Sequence, residues 1–196
     1  MKYIGFSGKY KCLLMLIGLL LVSTIGVIII KLYIRDSGLR IKTISLFYGA
    51  TYLGAQNVVF QETKNDCGPA ALKMVFDYYG IPSSLEELRY KLMSKRGVSM
   101  LSMKGLAEAK GLKAEGWHYN KNELRHVKLP VIALVRGGHY VVISEIKNNL
   151  NFVILDPALG KLEFPFQRFC RIWRGDLLIF KPIKNMESNN TKEEVK

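Results

Sequence analysis

Residues 61–80 read QETKNDCGPAALKMVFDYYG, and this stretch sets the expectation for the rest of the chain. Apolar residues at Ala70, Ala71, Met74, Val75 and Tyr78 recur at helical spacing, and Gly80 and Pro82 stop the pattern. Proline is tolerated in a helix's first turn, where its missing N–H has no partner to lose. Pro69 therefore marks a helix start and leaves Cys67 at the N-terminus. Free N–H groups and the positive end of the helix dipole favour a thiolate there, and the thiolate is the nucleophilic form of cysteine. A buried structural cysteine is the alternative reading.

A nucleophilic cysteine needs a base, and the base needs an orienting group. Of the three histidines, His118 in WHYN and His126 in ELRHVK read as surface or structural residues. His139 follows Gly137-Gly138 and opens the strand HYVVISEI, open to a neighbouring cleft. The next strand, NFVIL, ends at Asp156-Pro157, and Asn148-Asn149 between them is good hairpin-turn chemistry. A two-residue loop there would set Asp156 opposite Val141, on the same face as His139 and roughly 7–8 Å from it at Cα. A three-residue loop would separate the faces. Asp-Pro at a strand end is also ordinary turn chemistry. Gln61 lies 6 residues before Cys67. Its amide N–H is the kind of donor that supports an oxyanion, and its alternative is an ordinary loop residue.

Working outward, Ser84 opens a second helix, SLEELRYKLM, with Glu87 placed for a capping box. Ser99 or Ser102 opens a third, running to Gly111. Leu112–Tyr119, Val131–Val135, His139–Ile146, Phe152–Leu155 and Leu177–Phe180 then read as strands rich in Val, Ile and Phe. Helices first and strands second is the order of an α+β domain, with N-terminal helices packed on an antiparallel sheet. This domain is expected over residues 57–181. Cys170 reads as a buried structural thiol. Trp117, Tyr140 and Trp173 are candidates for lining a cleft or for core packing.

The formal charge is +13, a value that suggests nucleic acid or a membrane surface. Almost half of the excess comes from Lys2, Lys9, Lys11, Lys31, Arg35, Arg40 and Lys42, opposed only by Asp36. These residues flank Cys12–Ile30, a run of 19 residues without a charge. A helix of that length spans about 28 Å at ~1.5 Å per residue, close to the ~30 Å hydrocarbon core. The run ends in three isoleucines and a lysine with no small-residue cleavage pattern, so it reads as an uncleaved membrane anchor. The flanking bases are then anchors of a single-pass protein of the cell membrane. With three before the run and four after, they set no orientation. The expected organisation is a short basic tail (1–11), a transmembrane helix (12–34) in contact with lipid, a juxtamembrane linker (35–56) with room for a short strand, the α+β domain (57–181) and a disordered polar tail (182–196). The domain shows no basic cluster beyond Lys91, Lys95 and Arg96, so nucleic acid is not expected as a partner. Three cysteines exclude a disulfide-dense scaffold and a four-cysteine zinc site.

The chain resembles the double-glycine leader peptidases, the papain-like cysteine peptidase domains at the N-termini of bacteriocin-exporting ABC transporters. The resemblance rests on Gln61 through DCGPAALKMVFDYYG, then SMLSMKGLAEAKGLKAEG, LPVIALV with HYVVI, FVILDPALGKLEF and WRGDLLIF, in that order across Val58 to Phe180. It implies a papain-like α+β fold, with Cys67 as nucleophile, His139 as general base, Asp156 orienting His139, and Gln61 in the oxyanion hole. It implies cleavage after a Gly-Gly pair in the leader of a secreted peptide, with no cofactor or metal. The sequence has no phosphate-cradling G-x-x-x-x-G-K-[ST] loop, so an ABC-type export complex is expected as a separate partner. Two other readings remain at this point: a papain-like hydrolase or transferase acting on cell-wall peptides, and a non-catalytic leader-binding module.

Overall fold

The computed structural model describes residues 8–35, 41, 47, 49–94, 97–148 and 151–182. The chain divides into two units, Met1–Ile44 and Ser45–Lys196. In the first unit, helix α1 spans Gly8–Arg35. Its stretch Leu13–Leu32 is long and apolar enough to cross a membrane, and none of it is buried. Ser23 and Thr24 turn their hydroxyls back onto the carbonyls of Leu20 and Leu21, so even the polar residues of the run are satisfied within the helix.

The second unit begins with a strand, β1 (Thr51–Gly54), then three helices: α2 (Cys67–Tyr78), α3 (Leu85–Leu92) and α4 (Met100–Ala109). Strand β2 (Leu112–His118) and the one-turn helix α5 (Lys121–Leu124) follow. Then come β3 (Val131–Val135), a tight turn at Arg136–Gly138, β4 (His139–Lys147), β5 (Asn151–Asp156) and β6 (Gly160–Pro165). Helix α6 (Phe166–Ile172) and β7 (Trp173–Pro182) close the described chain. The seven strands form one sheet in the order β1-β6-β5-β4-β3-β7-β2, with every pairing antiparallel.

Helices α2 to α4 cover one face of this sheet and α6 the other. Alternate residues of the central strands feed two cores. Ile132, Tyr140, Val142 and Leu155 join Leu72, Val75, Phe76 and Met103 on the α2 side. Val131, Ala133, Val141, Ile143 and Ile154 join Phe166 and Phe169 on the α6 side. Because both faces are covered, the central strands read as continuous apolar runs rather than as an alternation. Phe152 meets Phe166 and Phe169 edge to face at 5.4 and 5.5 Å between ring centroids.

Three elements lie outside the sequence reading, namely α5 (Lys121–Leu124) in the stretch taken as polar, β6 and α6, and a fourth, β1, fills the place of the short strand allowed for in the linker. Strand β1 falls within the stretch read as a linker and pairs with β6 along the sheet edge. Strand β6, GKLEFP, alternates buried Gly160, Leu162 and Phe164 with more exposed partners, the period of two that marks a strand. Helix α6 places Phe166, Phe169 and Cys170 at helical spacing, but over only 7 residues. Residues 1–7, most of 36–48 and the tail 183–196 lie outside the described residues.

Two local expectations are corrected. At α3, Ser84 Oγ accepts the Glu87 N–H at 3.0 Å, but the reciprocal half of the capping box is missing. The Glu87 carboxylate instead pairs with Lys91 and Lys110, at 2.8 and 2.9 Å. A full capping box forms at α4, between Ser99 and Ser102. The β4–β5 hairpin is the second correction. Lys147 pairs with Asn151, so three residues rather than two separate the strands, and Ile146 faces Phe152. The register then shifts between Ile143 and Glu145. Ser144 sits in this bulge, with its hydroxyl on the Val153 carbonyl at 3.1 Å. Beyond the bulge Val142 faces Leu155, which is the register a two-residue loop would have produced. The longer loop and the bulge cancel, and His139 and Asp156 end on one face.

Candidate active site

Cys67 is the first residue of α2 and is buried. The helix enters so tightly that a Cβ on Gly68 would lie 2.8 Å from Val98 Cγ1, which explains the glycine. The Cys67 thiol is hydrogen-bonded to the His139 ring and faces the backbone N–H groups of Tyr140 and Gly68. Burial pushes the thiol up, but the His139 hydrogen bond, the Tyr140 N–H and the nearby imidazolium charge outweigh it, and the net result is a lowered pKa. For His139, burial disfavours the charged ring. The bonds to Asp156 and Cys67 outweigh that cost and raise its pKa to about 10. His139 Nε2 lies 2.9 Å from Asp156 Oδ1, which leaves Nδ1 as the ring nitrogen toward Cys67. Both shifts favour a thiolate–imidazolium pair at neutral pH.

Asp156 is held by its own turn as well as by His139. The same Oδ1 accepts the Ala158 N–H at 2.7 Å, and the Asp156 carbonyl accepts the Leu159 N–H at 3.2 Å. The turn chemistry and the histidine contact are thus one arrangement: the carboxylate that closes the turn 156–159 is the one that holds the ring. Gln61 is tied to this turn through its backbone N–H, which bonds the Pro157 carbonyl at 2.9 Å. Its Nε2 donates to the Thr63 carbonyl at 2.9 Å, and its buried Oε1 has no partner among the described residues.

One group near Cys67 was not anticipated. Asp66, fully buried, does not cap α2 with its side chain. Its carboxylate turns back to the Thr63 hydroxyl and to the Thr63 N–H at 3.0 Å, and pairs with Arg89 Nε at 3.2 Å. Arg89 also pairs with Glu62. A chain of contacts therefore runs from α3 through Arg89, Asp66 and Thr63 to the Gln61 amide. The acid before a helix start was visible in the sequence, but nothing local marked Arg89 on a different helix as its partner.

Gln61, Cys67 and His139 open onto a cleft of about 410 Å³ whose wall includes Gly97, Gly137 and Gly138. Gly137 and Gly138 have φ of 80° and 74°, a region L side chains rarely enter, and open space lies where their Cβ atoms would be. Tyr140 lines this cleft and its hydroxyl reaches the Val98 carbonyl at 3.2 Å. Trp117 is exposed on β2, and Trp173 packs in the α6-side core. His118 and His126 are exposed outside the cleft. Cys170 is buried, and burial pushes its thiol up. Among the described residues no group of three His, Cys, Asp or Glu side chains could hold a metal ion.

Comparison with known proteins gives this geometry a context. Residues 55–185 match the Peptidase C39 family. A probable functional amyloid protease, FapD of Pseudomonas aeruginosa, is 31% identical over 131 residues, covering 61% of this chain and 58% of that protein. The lactococcin-G-processing and transport ATP-binding protein LagD of Lactococcus lactis is 28% identical over 134 residues, covering 65% of this chain and 19% of that one. This chain thus matches little more than half of the first relative and a fifth of the second. A double-glycine motif protease from an AMS/PCAT transporter, solved in complex with a leader peptide, superposes with a TM-score of 0.62 at 34% identity. That match covers 64% of this chain and 91% of the solved one. The chain belongs to the peptidase C39 family of double-glycine leader peptidases, and its second unit is a papain-like α+β cysteine peptidase domain.

Proposed function

We propose that this C39 member is a membrane-anchored cysteine endopeptidase that cleaves after a Gly-Gly pair in the leader of a secreted peptide. The observation that carries the reading is the hydrogen-bonded series Cys67–His139–Asp156 at the mouth of a cleft walled by glycine backbone. Cys67 is the nucleophile, His139 the acid and base, Asp156 the group that orients His139, and Gln61 an oxyanion donor. The Cys67 thiolate attacks the carbonyl carbon of the residue before the scissile bond, forming a C–S bond and an oxyanion. The Gln61 side-chain amide and the Cys67 backbone N–H hold that oxyanion. On collapse the C–N bond breaks, and the His139 imidazolium gives its proton to the leaving amine. Neutral His139 then takes a proton from water, the hydroxide attacks the thioester, and the C–S bond breaks to restore thiolate and imidazolium.

The glycine wall supports a Gly-Gly site. Backbone without side chains at Gly97, Gly137 and Gly138 lets a peptide main chain lie close to the nucleophile, with open space where their Cβ atoms would be. Helix α1 supports residence in the cell membrane as a single-pass protein, with lipid around residues 12–34. LagD is named for both processing and transport, which supports an ABC-type export complex as the partner that receives the trimmed peptide. The likeness to FapD supports a second substrate reading, a component of a functional amyloid.

The test uses the full chain in a neutral detergent, incubated with a Gly-Gly leader peptide, an amyloid-derived peptide containing Gly-Gly, and a cell-wall stem peptide. Mass spectrometry reads the products with and without a thiol-reactive inhibitor. Inhibitor-sensitive cleavage after Gly-Gly in the leader is expected. Cleavage of the stem peptide alone, or leader binding without cleavage, would overturn the reading.

A further inference from the structure

The domain's positive charge is dispersed in sequence, but part of it converges in space. Lys121 from α5, Arg136 from the β3–β4 turn, Arg171 from the end of α6 and Arg174 from the start of β7 surround one concavity of about 690 Å³. All four side chains are exposed. None of them makes an ion pair among the described residues, whereas Glu123 and Asp176, two residues along the chain from Lys121 and Arg174, are occupied. The Glu123 carboxylate accepts the Asn120 N–H at 2.7 Å, and Asp176 pairs with His118 at 2.9 Å. The concavity is also lined by buried Cys170 and Trp173, and the Trp173 indole N–H is already spent on the Asp176 carbonyl at 3.2 Å. Nothing in the concavity except the four cations offers strong recognition.

Sheet register explains why this basic hollow lies beside the cleft. Val135, at the end of β3, pairs with His139 on one side and Trp173 on the other. The turn that follows Val135 therefore delivers His139 to the cleft and Arg136 to the basic hollow. Gly137 belongs to the wall of both. A peptide leaving the cleft over Gly137 would meet Arg136 as the next side chain of the same turn.

We propose that this concavity is a subsite for an acidic stretch of the same peptide substrate, with glutamate or aspartate side chains set among Lys121, Arg136, Arg171 and Arg174. The inference rests on the endopeptidase reading above and adds the charge of the substrate to it. Three guanidinium groups suit carboxylates, which they engage with paired N–H donors. A lipid headgroup would supply similar negative charge, but a flat bilayer surface reaches a protruding patch more readily than a concavity that shares Gly137 with the cleft.

The test compares two synthetic leader peptides that share a Gly-Gly site and differ only in carrying three glutamates or three glutamines. The full chain in neutral detergent is assayed as wild type and as the double variant Arg171→Ala/Arg174→Ala, with circular dichroism confirming that the variant is folded. We expect kcat/KM for the glutamate peptide to exceed that for the glutamine peptide by about fivefold to tenfold through KM. That preference should collapse in the double variant and shrink in wild type as salt rises. A preference absent from wild type, or unchanged in the variant, overturns the proposal. If neither peptide is cleaved, the endopeptidase reading fails. Fluorescence anisotropy of the labelled peptides on Cys67→Ala then decides the subsite alone: tighter binding of the glutamate peptide, lost in the added double variant, supports it, and equal binding overturns it. Vesicles of phosphatidylglycerol form the last arm. Vesicle binding that depends on Arg171 and Arg174, without any peptide charge preference, would assign the hollow to lipid instead.

Discussion

The domain contains two histidine–carboxylate pairs of the same length. His139 meets Asp156 at 2.9 Å, and His118 meets Asp176 at 2.9 Å. Their settings differ. The His139 and Asp156 side chains are 24% and 9% exposed, whereas those of His118 and Asp176 are 72% and 41% exposed. In water an ion pair is screened and contributes little. Out of water, beside a thiol and several aimed N–H groups, the same contact holds a proton on the ring to about pH 10. A carboxylate next to a histidine is therefore not a site. Burial and the third group, Cys67, separate the two. His118 has a packing task instead: its ring lies over Gly175, where a Cβ would come within 2.3 Å of it.

The sharpest way to break this comparison is to remove the third group. Cys67→Ala is expected to lower cleavage of a Gly-Gly peptide by about a thousandfold or more, while the thermal melt shows a folded domain. Turnover retained in that variant would end the assignment. Next, His139→Gln should cost about a thousandfold in kcat, whereas His118→Gln should stay within about twofold, measured on the same peptide. Equal losses would erase the distinction between the pairs.

The carboxylates sharpen it further. Asp156→Asn should cost about a hundredfold in kcat, and Asp176→Asn almost nothing. The pH profile carries the sign. The reactive pair needs a thiolate and an imidazolium, so the rate rises as the lowered Cys67 thiol ionises and falls as His139 loses its proton near about pH 10. Without Asp156, burial of the ring is less opposed, and the alkaline limb moves toward neutral pH. Stability follows the same linkage. His139 has a raised folded pKa, so its contribution is full below its ordinary value of 6.5 and is lost as pH rises through about 10. Asp156→Asn should therefore lower Tm more at about pH 6 than above about pH 10.

The smallest effect on chemistry, though not on folding, belongs to the other buried carboxylate, Asp66. Arg89→Ala would leave Asp66 buried without its cationic partner. The expected cost is about 3 kcal/mol of stability, with a smaller loss of kcat through the loosened Gln61 turn. Chemical denaturation and steady-state kinetics of the full chain would check both.

Much of this arrangement was legible in the sequence. The start of α2 was readable from Cys67-Gly68-Pro69, because the helix and the cysteine obey local rules. His139 was readable as the histidine at a strand opening beside two glycines. Strand β4 and its partner β5 were readable because a sheet covered on both faces makes its central strands apolar throughout. What was not legible depended on distant partners. Nothing local joined Asp66 to Arg89 on another helix, and nothing local placed the short linker strand, Thr51–Gly54, against β6. The four cations of the basic hollow come from four elements and look unrelated along the chain. Asn148-Asn149 suggests a two-residue loop where the hairpin has three, and a bulge at Ser144, which no local signal marks, restores His139 and Asp156 to one face.

That bulge gives the domain a form of frame correction. The loop beyond Lys147 is an odd-length insertion that, uncorrected, would turn every later residue of β5 inside out and send Asp156 to the far side of the sheet from His139. One looped-out position at Ser144 absorbs the slip before it reaches the cleft. Hairpin length and the alignment of the two side chains are thereby uncoupled. A two-residue loop on an unbroken ladder and a three-residue loop on a bulged one are two spellings of the same face, and a change in either is silent at the site only when matched by the other.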